Sequence, residues 1–388
     1  MTQPILNRVF AGQGTTIFTV MSALATEHGA INLGQGFPDV DGPQPIRARA
    51  ARALIEDSNQ YPPMMGVPVL RQSLARHSER HYGFTYDWQS EILVTSGATE
   101  ALGDCVMAFI NPGDEVILIE PAYDSYRPII EAVGGVVRTV RLKPPSWELS
   151  PSELKAAFTP KTRLLMLNSP MNPVSKVFSA QELEAIAALL RQHNALAICD
   201  EVYEHITFDG TKHVSLVSLP GMRERCVRVG SAGKIFSLTG WKVGWISGPA
   251  NLISVIAKAH QFVTFTTPPA LQIAIADALD FEQGYYLGLA QELQEKRDIL
   301  GEGLTRCGFE VLPCQGTYFI TANYWSLAGG QNDVDFCRDL VTRAGIAAIP
   351  LSAFYKSDPP THLIRFAFCK RREVLEEAVA RLRQAFRR

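Results

Sequence analysis

The sequence predicts an α/β protein: a large, doubly wound, mostly parallel sheet with helices on both faces, and a smaller α+β domain beside it. Three observations carry this. From about residue 90, short apolar runs alternate with helix-length amphipathic stretches, the pattern of a parallel sheet built from strand–helix units. Several runs, Glu115–Ile119 and Arg163–Leu167 among them, are apolar without alternation, as strands buried on both faces require. At 388 residues, the chain also exceeds what one small core accommodates.

The elements follow in order. Glu91–Val94 reads as a strand and Thr99–Phe109 as a helix. Glu115–Ile119 is a strand, Tyr126–Val133 a helix and Val136–Val140 a strand. Arg163–Leu167 precedes a helix over Ala180–His193, and Ala195–Cys199 and Cys226–Val229 are further strands. Val243–Ser247 fits one more, running antiparallel. Helices over Leu252–Phe262, Ala270–Leu279 and Tyr285–Cys307 lead to the α+β segment, with strands at Thr317–Thr321, Ile346–Ile349 and Leu363–Phe368 and helices near Val334–Ala344 and Glu373–Phe386. The expected division is a large domain over 40–282 and a small one made of 1–39 and 283–388.

Composition narrows the function. The chain is 46% hydrophobic and 20% charged with a net charge of −2, so no electrostatic case exists for nucleic acid or an anionic membrane surface. No apolar run reaches bilayer length. The first ten residues lack the apolar stretch of a signal peptide. Seven cysteines without a C-x-x-C pair fit free thiols in a reducing cytoplasm.

In open α/β sheets ligands bind beyond the carboxyl ends of the strands, and five such ends carry unusual residues. Ser96-Gly97-Ala98-Thr99-Glu100 is a small-residue turn opening a helix, whose free N–H groups suit a phosphate. Tyr123 follows the second strand. Asn168-Ser169-Pro170-Met171-Asn172-Pro173 follows the fourth, and Asp200-Glu201-Val202-Tyr203 ends the next. Gly230-Ser231-Ala232-Gly233-Lys234 closes the series: a lysine on a tight turn near a second cation, Lys242. Desolvated beside other cations, such a lysine loses basicity and becomes a nucleophile. Together these groups suit one flat, phosphorylated, cationic heterocycle.

In family order over residues 32–366, the motifs Asn32–Asp39, Gln60–Gly66, Ser96–Glu100, Asn168–Pro173, Asp200–Glu204, the lysine segment and Ile364-Arg365-Phe366 resemble those of class I aminotransferases of the pyridoxal-phosphate fold type I. Bacterial methionine aminotransferases and the kynurenine/glutamine aminotransferases are the most similar branches. The resemblance implies pyridoxal 5'-phosphate (PLP) as cofactor, with Lys234 forming its Schiff base and then moving the proton. It further implies Asp200 at the pyridine nitrogen, Asn172 and Tyr203 at the phenolic oxygen and Tyr123 on the ring face. Ala98, Thr99, Ser231 and Lys242 would hold the phosphate, with Tyr61 reaching it from a second subunit, hence a homodimer. The substrate carboxylate would meet Arg365, Asn172 and Gly36, and Phe18 with the stretch Gln261–Thr267 would line the side-chain pocket. No second arginine is evident there, so large neutral amino acids are expected: methionine first, then aromatic residues, leucine and glutamine.

Plainer readings stand beside several of these. Asp200 could cap a helix, Asn172 belong to a turn, Tyr123 be a core aromatic and Arg365 form a structural ion pair. Met171, Ala232 and Ile235 depart from residues common in the family and are expected on the cofactor's flank. β-Elimination from cysteine conjugates is the alternative reaction, and a non-catalytic PLP-binding regulator the alternative class. Dinucleotide and P-loop motifs fail on spacing. No metal is expected: the pair His77 and His81 reads as part of a solvated helix.

Overall fold

A computed structural model describes residues 6–281 and 283–386. Its strands, in chain order, are β1 (Ile31–Asn32), β2 (Ile92–Thr95), β3 (Glu115–Glu120), β4 (Val136–Arg141), β5 (Thr162–Asn168), β6 (Leu196–Asp200), β7 (Cys226–Ser231) and β8 (Gly244–Ser247). There follow β9 (Glu310–Val311), β10 (Phe319–Asn323), β11 (Ile346–Ala347), β12 (Ile349–Pro350) and β13 (Leu363–Ala367).

Seven strands form the large sheet in the order β2-β8-β7-β6-β5-β3-β4. The pairs β3–β4, β3–β5, β5–β6 and β6–β7 are parallel, and β8 is antiparallel to both its neighbours, as the sequence predicted. β6 and β7 consist almost wholly of buried residues, because helices cover both faces. The helix Ala98–Phe109 packs on one side with Ala250–Val263. Ala180–His193 lies on the other, its start fixed by a reciprocal Ser179–Glu182 capping box.

The second sheet orders β12-β13-β10-β9 and is antiparallel throughout. β1 pairs in parallel with β11, so the N-terminal segment joins the C-terminal one. Apolar side chains from both sheets and the last helix, including Leu165, Ala197, Cys199, Phe366 and Leu382, belong to one contiguous core.

Three expectations need correction. The strand read over Ile346–Ile349 is two: Ile346 and Ala347 pair with β1, whereas Ile349 and Pro350 pair with β13, with the switch at Ala348. The strand read from Thr317 begins at Phe319, because Thr317 sits at φ 63°, outside the extended region. The helix carrying His77 and His81, Pro68–Tyr82, is not simply solvated. His77 shares a face with Leu70 and Leu74, and that face is buried.

Candidate active site

The carboxyl ends of β2, β5, β6 and β7 open into a cavity of about 460 Å³. Its lining includes Ala98, Thr99, Tyr123, Asn172, Asp200, Tyr203, Ser231, Lys234, Lys242, Phe18, Gly36 and Arg365. Tyr61 stands apart from this lining: it is 84% exposed and packs edge-on against Phe265 at 5.4 Å. The stretch Gln261–Thr267 is also outside this cavity. It ends the helix Ala250–Val263 at the surface, where Phe262 is 85% exposed. Met171, Ala232 and Ile235 do not flank the cavity either; all three are buried in apolar cores.

One end of the cavity suits an anion. Helix Ala98–Phe109 starts without a side-chain cap, leaving its first N–H groups and the positive end of its dipole facing the cavity. Gly97 makes the turn at φ 84°, and a Cβ there would lie 3.3 Å from Lys242 Nζ. Glycine therefore lets the lysine head approach the helix start. Ser231, the last residue of β7, lies on the same cavity wall.

The middle of the cavity holds Asp200, the last residue of β6. It accepts a 2.5 Å hydrogen bond from Tyr126 Oη and a longer one from Val202 N, but it makes no ion pair among the described residues. Burial pushes its carboxyl up to about 6 despite the Tyr126 bond. Asn168 fixes the neighbouring backbone: its Nδ2 donates to Asp200 O at 2.9 Å and its Oδ1 accepts from Asn172 N at 2.7 Å.

Lys234 is placed by a one-turn helix, Ala232–Ile235, directly after β7. Its Nζ lies 5.6 Å from the Tyr318 ring centre and 5.9 Å from that of Tyr203. Burial lowers its basicity, opposed by Cys369 and Asp200 and assisted by Lys242 and Arg365. A lysine held this way is available as a nucleophile and as a proton carrier.

Arg365, in the middle of β13, is 1% exposed. Its Nη1 donates to Asn172 Oδ1 at 2.7 Å and its Nη2 to Gly34 O at 2.8 Å, while Nε has no partner. Phe319, Phe354 and Phe18 surround the guanidinium, Phe319 at 3.9 Å. Burial lowers its pKa to about 10. No carboxylate among the described residues forms an ion pair with it, so the structural-pair reading of the sequence does not apply. A buried guanidinium with spare donors is prepared for an external carboxylate.

The sequence reading gave no role to four contributors. Tyr126 bonds Asp200, and Asn168 braces it. Tyr318 Oη donates to Gly36 O at 2.6 Å, which positions the Gly36 backbone. A Cβ on Gly36 would lie 2.5 Å from Phe319, so only glycine fits there. Phe319 itself forms a wall of the cavity against Arg365. Only spacing could have flagged Tyr126, three residues beyond Tyr123; nothing local marks Tyr318 or Phe319.

This arrangement matches known proteins over almost its full length. Residues 28–382 fit the family description of class I and II aminotransferases. The chain belongs to the class I and II aminotransferases. It is 45% identical to the methionine aminotransferase of Escherichia coli K12, with 96% of each chain covered. It is equally 45% identical to a probable N-succinyldiaminopimelate aminotransferase of Mycobacterium tuberculosis, with 95% of each covered. Among solved structures, an E. coli protein reported with a methionine aminotransferase function superposes at a TM-score of 0.95 and 44% identity, covering 98% of this chain and 100% of that one. This aminotransferase therefore carries the enzyme fold and its pocket in one chain, and no helix among the described residues is long and apolar enough to cross a membrane.

Proposed function

We propose that this aminotransferase binds PLP in the cavity and moves amino groups from large neutral L-amino acids, methionine first, to 2-oxo acids. The carrying observation is a single cavity that joins an uncapped helix start, an unpaired buried carboxylate, a weakly basic lysine and a buried arginine with a free donor.

The residues fit the cofactor. Ala98 and Thr99 N–H groups, Ser231 and Lys242 would hold the phosphate. Asp200 would pair with the protonated ring nitrogen, which supplies the cation its buried carboxyl lacks. Tyr123 would cover the ring face. Asn172, whose Oδ1 is committed to Arg365, would offer its amide N–H, with Tyr203, to the phenolic oxygen. When bound, the cofactor supplies an aldehyde that condenses with amines and a ring that accepts the electron pair left at the substrate α-carbon. Lys234 would anchor it and, once freed, would carry the proton of the substrate α-carbon. Arg365 and the Gly36 backbone hold the α-carboxylate, so the α-C–H bond is presented to Lys234 rather than turned away.

Substrate preference follows from charge. The cationic residues lining the cavity are Lys234, Lys242 and Arg365, and all three are committed to the cofactor or the α-carboxylate. Phe18 and Phe37 offer apolar surface for the side chain. This supports neutral side chains over those bearing a second carboxylate, N-succinyldiaminopimelate included.

A homodimer completes the proposal, with Tyr61 serving the partner's phosphate. Tyr61, Phe262, Val263 and Phe265 form exposed apolar surface outside their own chain's cavity, as a second copy would cover. The division into a large domain (40–282) and a small one (1–39 and 283–388) is proposed on the separation of the seven-stranded sheet from the four-stranded sheet and the β1–β11 pair. A cytoplasmic location is supported by seven free cysteines, six of them buried.

Single-turnover spectra of the PLP-loaded protein with a panel of amino donors test the substrate reading. Methionine should convert the cofactor fastest, with phenylalanine, leucine and glutamine behind. Faster conversion by aspartate or N-succinyldiaminopimelate would overturn it.

A further inference from the structure

Behind the catalytic pocket lies a cluster that the reaction does not use. His77 and His81 are one turn apart on helix Pro68–Tyr82, and His205 follows Glu204 in the segment that begins with Asp200. His77 Nε2 and His205 Nε2 are 2.9 Å apart, and one ligand nitrogen from each of the three rings lies within 4.8 Å of the others. His81 Nε2 is buried and has no hydrogen-bond partner.

We propose that His77, His81 and His205 form a binding site for a late first-row divalent cation, with zinc as the type. Three imidazoles, two of them at i and i+4 on one helix, are a zinc-class ligand set that leaves a fourth position open. Tetrahedral ligands about 2.1 Å from zinc stand about 3.4 Å apart, so small ring rotations bring the observed spacing into register. A bridging hydrogen bond between His77 and His205 satisfies two of the three nitrogens at most and leaves His81 Nε2 orphaned; an ion satisfies all three.

Acidic and basic groups both adjoin the cluster. Glu204 Oε1 is 4.0 Å from His205 Nε2. The buried carboxylates Glu201 and Glu204 share the guanidinium of Arg228, at 2.6 and 2.7 Å, and His213 Nε2 lies 3.3 Å from Glu201. Burial keeps His77 and His205 in the neutral form that ligates metals. The ring of Tyr286, 4.3 Å from that of His205, adds the long helix Gln283–Arg306 to the same cluster. An ion there would bind the early helix to the segment carrying Asp200 and Tyr203.

The test uses tag-free, PLP-loaded protein stripped of metal, titrated with Zn²⁺ against a chromogenic chelator and assayed for metal after gel filtration. One zinc per chain should remain, with a raised Tm. His81→Gln, at a half-buried position in the last helical turn, and His205→Gln should each weaken binding at least about tenfold and abolish the Tm rise. Zinc that stays with both variants at unchanged affinity would place the ion elsewhere and overturn the proposal, as would wild-type protein that retains none. Anomalous diffraction from zinc-soaked wild-type crystals decides the matter without a variant: a peak among the three rings supports the site, and a peak only elsewhere overturns it.

Discussion

Asp200 and Glu201 are consecutive, both buried and both carboxylates, yet their environments drive them in opposite directions. Asp200 points into the cavity, meets no cation within ion-pair distance, and is pushed up to about 6 by burial. Glu201 points away, where Arg228 and Ser215 bind it at 2.6 and 2.7 Å, and these with His213 overcome its burial and hold it at about 2. Along an extended chain, consecutive side chains point to opposite faces. The difference distinguishes a structural charge, satisfied within the protein, from an unpaired carboxylate that faces the cavity.

The largest effect should come from the satisfied side. Arg228→Met leaves Glu201 and Glu204 buried without their cation, and breaking such a network typically costs about 3–5 kcal/mol; urea unfolding should register the loss even without cofactor. On the cavity side, Asp200→Asn keeps a partner for Tyr126 but cannot pair with a ring cation. The rate constant for donor deamination should fall by about 10²–10³, some 3–4 kcal/mol, with folding retained. A variant that turns over normally would break the comparison.

The pH dependence sharpens it. Asp200 has its folded pKa raised from 3.8 to about 6, so in cofactor-free protein its contribution is most favourable at low pH and is lost as pH rises from about 4 to 6, by about 3 kcal/mol. Glu201 is depressed from 4.5 to about 2, so its contribution is present above pH 4.5 and is lost as pH falls toward 2. Cofactor-free Asp200→Asn should therefore lose less stability than wild type between pH 4 and 6, and saturating PLP should flatten the wild-type slope. Unfolding at a series of pH values checks both. The smallest expected effect concerns Arg365: replacing it by Lys keeps a charge but loses the forked contact, raising KM for methionine by about tenfold or somewhat more, roughly 1–3 kcal/mol.

The sheet was legible because buried parallel strands write themselves as unbroken apolar runs between helices. The strand ends were legible because short segments bearing polar and ionisable residues, such as Asp200–Tyr203 and Ser231–Lys234, interrupt the apolar runs there. Tyr318 and Phe319 were not legible, since their place against Gly36 depends on a strand more than 280 residues away in the chain. The histidine pair was misread because a helix turn shows which residues share a face, not whether that face meets water.

Sequence alone thus determined the strand–helix alternation, the lysine, the carboxylate and the arginine, because these depend on residue type and local spacing. Tertiary structure decided which of them are partnered. Asp200 and Glu201 have the same neighbours in sequence, and only the packing of β7 beside β6, with Arg228 on one side and the open cavity on the other, made one a fixed structural charge and the other a carboxylate in want of a cation. The same holds for the three histidines: helix periodicity put two together, and the fold brought the third.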